Sequence, residues 1–203
     1  MPSAYELVEG LQLPIQVSGH PALELCNTFA GWNGRPTWDY LISYDHLAVF
    51  AGHAGLLPAA GMPALRELAR SGPAEASAVL TAARDLRGLI YDLLVGRPAA
   101  GAFERFTAVA NRAAGSVRLV GGDRIRREVS ADAGLAAPVL AAAWAASDLL
   151  LSDDCGRVRA CPGTGCGWLF VDRSGRRRWC TMSTCGNRAK ARRFASRHGK
   201  PPA

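Results

Sequence analysis

Apolar residues recur at helical spacing through about the first 150 residues of the chain. The clearest stripe follows Pro73, where such residues fall three or four positions apart and would face a core. Its members are Val79, Ala83, Leu86, Ile90 and Leu93. Five further segments with this period are predicted to be helices. They are residues 21–30, 44–55, 63–70, 103–115 and a segment that begins at Pro138.

The period changes to that of a strand in two places. Apolar and charged residues alternate on both sides of a Gly-Gly-Asp turn at 121–123, which predicts a β-hairpin. An apolar run at 13–18 predicts a short edge strand. With 49% hydrophobic residues, the 203-residue chain can bury a proper core. The predicted fold class is α+β, with a mostly helical N-terminal domain that carries a small β-hairpin.

Charge divides the chain at a short polar hinge, residues 152–156. Residues 1–154 contain 12 Lys and Arg against 16 Asp and Glu, whereas residues 155–203 contain 12 against one acid, Asp172. The net charges are −4 and +11. A small folded unit so positive attracts polyanions, of which nucleic acid is the commonest. We predict two domains, 1–154 and 155–203, and nucleic acid as a partner of the second; the alternative is a solvated basic tail.

The sequence predicts a cytoplasmic protein without a membrane partner. Its N-terminus has neither the basic region nor the continuous apolar region of a signal peptide. The most apolar stretch, Ala133–Leu151, is rich in alanine and contains Pro138 and Asp148. A buried helix of a soluble domain is therefore predicted there, rather than a membrane span.

Four cysteines in the basic region have the spacing of a zinc site. Cys161 and Cys166 form one pair, Cys180 and Cys185 form the other, and each pair encloses four residues. A tetrahedral zinc ion takes four thiolates at about 2.3 Å, and cysteine pairs on turns supply them two at a time. Disulfides or merely buried cysteines are the alternative, but nothing in the sequence indicates an oxidising compartment. We predict one structural zinc ion.

The residues around these cysteines predict a treble-clef-like zinc finger. Residues 168–171 and 176–180 are predicted to be two strands of a hairpin, followed by a helix over 183–198. An apolar stripe on that helix would pack on the hairpin. The stripe consists of Ala191, Phe194 and Ala195. Because four thiolates fill the zinc site, Cys26 and Cys155 are left outside it.

Cations of this module are the predicted nucleic-acid contacts. They are Arg176, Arg177, Arg178, Arg188, Lys190, Arg192, Arg193 and Arg197. If all eight met phosphates, the logarithm of affinity would fall against that of salt concentration with a slope of about −7. Duplex DNA is the predicted partner, and RNA or a protein is the alternative. Because one small finger reads few base pairs, a homodimer is expected.

Polar residues cluster unusually densely around the first predicted helix. They are His20, Glu24, Asn27 and Thr28, with Trp38 and Tyr44 nearby in sequence. One hypothesis is a sensor pocket for a small-molecule effector; the alternative is that these side chains cap helices and satisfy buried backbone groups. His20 and Glu24 could also act as an acid and base pair, but no nucleophile motif accompanies them. The protein is therefore not expected to be an enzyme.

Two segments resemble known families. Residues 161–197, and especially Cys185-Gly-Asn-Arg188, are similar to the CGNR zinc-finger proteins. Residues 19–28 are similar to the opening motif of the ABATE domain, which stands N-terminal to that finger in proteins described as stress-induced transcription regulators. The resemblance implies a bacterial DNA-binding regulator. In this chain the first cysteine pair encloses four residues, where shorter knuckles are common among zinc proteins.

Overall fold

The computed structural model of the protein describes residues 4–122, 125–197 and 199. In these residues the α-helices are α1 (Pro21–Asn27), α2 (Tyr44–His53), α3 (Met62–Ser71), α4 (Pro73–Leu94), α5 (Ala102–Ser116), α6 (Ala137–Leu150) and α7 (Asn187–Arg197). The strands are β1 (Tyr5–Val8), β2 (Leu11–Pro14), β3 (Phe29–Ala30), β4 (Trp38–Asp39), β5 (Val117–Val120), β6 (Arg126–Val129), β7 (Val158–Ala160) and β8 (Leu169–Val171). The predicted α+β class, mostly helical with small hairpins, is confirmed.

All described strands pair in antiparallel hairpins of two, β1 with β2, β3 with β4, β5 with β6 and β7 with β8. The predicted hairpin is β5–β6, in which Val117 lies opposite Val129. Its turn at Asp123 lies outside the described residues. The predicted edge strand at 13–18 overlaps the observed strand β2 only at residues 13 and 14. Strand β2 is the second strand of a hairpin whose first strand, β1, the pattern did not reveal.

Helices α1, α4 and α6 form the centre of the main core. In α6, nine residues from Ala137 to Leu149 are buried, and in α1 every residue after Pro21 is buried. The segment Asp132–Leu150 has the length and hydropathy of a membrane span, but a core helix passes the same test. Because 56% of its most apolar window is buried by the rest of the fold, the core-helix interpretation fits it best.

The predicted second strand of the zinc finger, over 176–180, is wrong. Strand β8 pairs instead with β7, which precedes the first cysteine, so the first cysteine pair lies in the loop of a β7–β8 hairpin. On its other side, the N–H of Val171 donates to the carbonyl of Ser18 at 2.9 Å. That edge of β8 is thus occupied by the N-terminal segment, and residues 176–180 have no strand to join.

The C-terminal helix stands on the surface. A π-helical turn, Met182–Gly186, precedes α7 and is capped by the Thr181 side chain, which accepts from the N–H of Thr184. Among the described residues 187–197 no side chain is buried, and Phe194 is 65% exposed. The prediction that an apolar stripe of this helix packs on the hairpin is therefore wrong. His198, the predicted last residue, lies outside the described residues.

The two ends of the chain share one core. Val158, Leu169 and Val171 belong to the same buried cluster as the residues of α1, α4 and α6. A second cluster surrounds the four zinc-site cysteines, and Ala30 and Tyr40 of the N-terminal part contribute to it. The division into 1–154 and 155–203 stays a prediction. The packing shows that the two parts do not have separate hydrophobic cores.

Candidate metal centre and nucleic-acid interface

The four predicted zinc ligands meet at one point. Their sulfur atoms all lie within 4.8 Å of one another, and every one of the four residues is buried. The Sγ atoms of Cys166 and Cys180 are 3.6 Å apart, as are those of Cys180 and Cys185. A tetrahedral zinc with bonds of about 2.3 Å needs sulfur atoms about 3.8 Å apart, whereas a disulfide needs about 2 Å. The donor set fits one structural zinc ion and excludes disulfides.

Glycine allows the first cysteine pair to turn tightly around the metal position. A Cβ atom on Gly163 would lie 2.8 Å from the sulfur of Cys185, which is too close for any side chain. Gly165 has φ of +66°, a conformation that other residues adopt only with strain. The four residues between Cys161 and Cys166 therefore form a compact knuckle, although the loop is long.

Asn33 holds this knuckle from the N-terminal part of the chain. Its side-chain nitrogen donates to the carbonyls of Gly163 at 2.8 Å and Cys161 at 3.3 Å. Its side-chain oxygen accepts the N–H of Cys166 at 2.9 Å. The carbonyl of Cys166 in turn accepts the N–H of Gly31 at 3.0 Å. The backbone of two zinc ligands is thus positioned by a loop about 130 residues away in sequence.

Asn27 makes a similar contact with strand β8. Its side-chain nitrogen donates to the carbonyl of Leu169 at 3.0 Å, and its oxygen accepts the N–H of Leu169 at 2.8 Å. Asn27 is fully buried, so these bonds have no competition from water. The side-chain amide bonds to Leu169 as the backbone of a neighbouring strand would, and it joins helix α1 to the zinc-binding segment.

Replacing Asn27 with Ala is expected to lower the free energy of unfolding by about 2–4 kcal/mol. Two buried backbone groups of Leu169 would lose their partners, at about 1–3 kcal/mol each. Urea denaturation of the zinc-loaded protein measures the loss. Asn111→Ala on the exposed face of α5 is the matched control and is expected to change stability by less than about 0.5 kcal/mol. Equal stability of the two variants would contradict a structural role for Asn27.

The other predicted pocket residues are engaged within the fold. Thr28 donates to the carbonyl of Leu25 at 2.6 Å, and its hydroxyl accepts from Arg87 at 2.9 Å. Tyr44 donates to the carbonyl of Leu135 at 2.8 Å. Glu24 accepts the N–H of Ser18, and burial raises the pKa of this carboxyl. These side chains satisfy buried polar groups, as the alternative interpretation of the sequence holds.

The six residues do not line one cavity. His20 caps α1, with its Nδ1 accepting the N–H of Ala22, and it lines a cleft of about 510 Å³ beside the β5–β6 hairpin. Trp38 lines a separate cavity of about 180 Å³ behind the zinc-site cysteines, together with Arg188. Asn27 lies in the interior between the core and β8.

The eight predicted cations fall into two groups. The helix α7 carries five of them, all exposed, and contains no acid. They are Arg188, Lys190, Arg192, Arg193 and Arg197. Arg192 also donates to the Thr164 hydroxyl at 3.0 Å, which ties the helix to the first knuckle. The remaining three precede the second cysteine pair, and among them Arg178 lies 5.3 Å over the Trp179 ring.

Arg177 differs from its neighbours because its guanidinium points inward. It donates to the carbonyls of Val17 at 2.6 Å and Cys180 at 2.5 Å, and it lies 4.3 Å from the centre of the Phe170 ring. The side chain thus joins the N-terminal segment to a zinc ligand. With Nε also donating to the carbonyl of Trp179 at 3.2 Å, the Nε–Nη2 edge of the guanidinium, which could bind a phosphate with two bonds, is occupied.

Sequence reasoning missed the residues that fasten the module to the N-terminal part. They are Asn33, Tyr91, whose hydroxyl donates to the Gly167 carbonyl at 3.0 Å, and Trp32, which stacks on Tyr91 at 3.9 Å. The Trp-Asn pair in the break after the first helix is a weak signal that could have drawn attention to this loop. Cys26 and Cys155 stay outside the four-sulfur cluster, and burial raises the pKa of the Cys26 thiol.

Two family comparisons agree with this geometry. Residues 157–198 match the CGNR zinc finger, whose range contains all four cysteines and α7. Residues 19–153 match the family described as "ABATE: Putative stress-induced transcription regulator". The chain belongs to the ABATE family. The predicted architecture of an ABATE domain followed by a CGNR zinc finger is confirmed.

The family description makes this ABATE protein a zinc-binding member of a regulator family and suggests a nucleic-acid partner. A search of curated proteins finds no match to the chain.

Proposed function

We propose that this ABATE protein is a cytoplasmic, DNA-binding transcriptional regulator whose zinc holds a basic helix in position to contact duplex DNA. The ABATE domain senses a small-molecule effector or mediates formation of a homodimer. Four thiolates fill a tetrahedral zinc and leave no position for a reactive water, so we assign the metal a structural role and the chain no catalytic activity.

The exposed helix α7 is the observation that carries this proposal. Its eleven residues extend about 16 Å, and a helix of this kind fits the major groove, which is about 12 Å wide. Five cations and no acid lie along it, and none of its residues is buried. The preceding π-helical turn contains the zinc ligand Cys185, which fixes the direction in which the helix leaves the body. Phosphate contacts would set its register, and one or two Arg side chains would reach guanine edges.

Competition between nucleic acids tests the choice of DNA. Fluorescence anisotropy of the zinc-loaded protein with labelled duplex DNA, at about 0.1 M salt, measures binding when unlabelled duplex or single-stranded RNA is added. The expected result is that duplex DNA competes at lower concentration than RNA. Stronger competition by RNA would move the function to RNA binding, and the absence of binding to either would point to a protein partner.

Arg176 and Arg177 are expected to respond differently to the same substitution. Arg177→Gln removes charge-assisted bonds to two backbone carbonyls and is expected to lower the free energy of unfolding by about 1–3 kcal/mol. Arg176→Gln removes only an exposed charge, so stability should stay within about 0.5 kcal/mol while DNA binding weakens. Urea denaturation and anisotropy of both variants measure the two effects. Equal free energies of unfolding for the two variants would show that the inward contacts of Arg177 do not stabilise the fold.

A further inference from the structure

A cleft of about 510 Å³ lies between the β5–β6 hairpin and α6. This volume is within the range of small-molecule sites in proteins, which is about 300–1,000 Å³. Its walls are mainly apolar, with Leu56, Val117, Val129 and the ring of Trp144 among them. His20 also lines the cleft. None of the other five residues in the sequence-predicted pocket lines this cleft among the described residues.

The charges along the cleft indicate which ligand it prefers. Arg126 pairs with Glu128 on the same strand. Arg127 lies 5.4 Å over the Trp144 ring and is 3.3 Å from the carboxylate of Asp148. Both guanidinium groups are therefore already paired with acids, and an anionic ligand that took one of them would leave a carboxylate without its cation. A cation could instead take the place of Arg127, because a tryptophan face beside a carboxylate attracts organic cations.

Arg127 behaves here as a tethered ligand. Its side chain is 56% exposed, so leaving the ring costs little. The indole Nε1 of Trp144 is buried and has no hydrogen-bond partner among the described residues, so no hydrogen bond fixes the ring. We propose that the cleft binds a small organic cation with a flat apolar body, which displaces Arg127 from Trp144 and Asp148.

His20, which lines the cleft, is connected to the zinc module by a short path of hydrogen bonds. His20 and Ser18 exchange hydrogen bonds of 2.9 and 3.1 Å. The carbonyl of Ser18 accepts from Val171 of β8, and the carbonyl of Val17 accepts from Arg177. A ligand that shifts His20 would therefore act on the contacts beside Cys180. This regulatory consequence rests on the proposed function, whereas binding to the cleft does not.

Benzamidine is a suitable probe, because it joins a flat ring to an amidinium. Binding is measured on the zinc-loaded full chain, without nucleic acid, by calorimetry and by the NMR signal of the Trp144 indole, assigned with Trp144→Phe. A ligand of this size is expected to bind with a Kd of about 1 mM. Arg127→Ala should tighten binding about threefold by removing the tethered competitor, and Asp148→Asn should weaken it about threefold.

Asp132→Asn is the matched control, since Asp132 pairs with Arg118 of the same hairpin but does not line the cleft. It should bind benzamidine as the wild type does. Benzamide, which is neutral and of the same shape, should bind more weakly than benzamidine. The proposal is overturned if benzamidine shows no saturable binding up to about 10 mM, if benzamide binds equally well, or if Arg127→Ala weakens binding. Because no DNA is present, these outcomes are independent of whether the protein is a regulator.

Discussion

Removal of zinc is expected to unfold the ABATE domain together with the zinc finger. The sequence alone predicts that chelation melts only residues 155–203, because charge and composition divide the chain there. In the structure, however, Asn33 bonds to the backbone of the zinc ligand Cys166, and Asn27 bonds to the backbone of Leu169, which lies between the two cysteine pairs. Leu169 and Val171 lie in the main core. Apoprotein should therefore lose about 5 kcal/mol or more of its free energy of unfolding, which is a large share for a domain of this size.

Two serine substitutions make this test specific. Cys180→Ser removes a zinc ligand, whereas Cys155→Ser changes a half-buried cysteine outside the cluster. Metal analysis should give one zinc per chain for Cys155→Ser and less than one for Cys180→Ser. Far-UV circular dichroism during thermal unfolding should show one transition, which moves to lower temperature in Cys180→Ser alone. If the helices of the ABATE domain melted at the wild-type temperature in that variant, the two parts would be energetically independent.

Neutralising three cations of α7 is expected to weaken DNA binding strongly without affecting the fold. The change is Lys190, Arg193 and Arg197 to Gln, at positions that are all exposed. With Arg177 engaged internally, seven predicted cations remain, which corresponds to a log–log salt slope of about −6. Loss of three should reduce the magnitude of the slope by about 2.7 and lower affinity by about ten- to a hundredfold near 0.1 M salt.

The control variant carries the same loss of charge on the ABATE domain. Arg97, Arg105 and Arg112 are exposed and lie outside the basic module, so their replacement by Gln should leave the slope unchanged. Anisotropy titrations with duplex DNA at several salt concentrations give both slopes. A salt dependence that is flat, or that falls equally in the two variants, would show that binding does not depend on α7.

Local patterns predicted the elements that are stabilised locally. The stripe after Pro73 became α4, and alternating residues around 121–123 became the β5–β6 hairpin. The four cysteines were found because a metal requires a fixed ligand type and spacing. In each case the signal and the structure it specifies lie within a few residues of each other.

The errors occur where distant segments determine the outcome. Strand β8 could pair with either flanking segment, and the choice depends on Ser18, about 150 residues away. Asn27 and Arg177 are polar or charged, so the sequence placed them at functional surfaces, but each bonds to a backbone group of a remote segment. The exposure of α7 depends on the direction in which the preceding π-helical turn points the helix. The spacing of apolar residues within the helix does not reveal that direction.

Genome-wide footprinting in the native cell is the most direct test of the central claim, that zinc positions α7 to contact DNA. A cysteine variant would confuse loss of folding with loss of contact, so the better comparison is wild type against the variant with Lys190, Arg193 and Arg197 changed to Gln. The two proteins should have equal zinc content and equal abundance. Discrete sites occupied by the wild type and lost in the variant are the predicted result. Sites that persist in the variant, or a wild type without discrete sites, would contradict the claim.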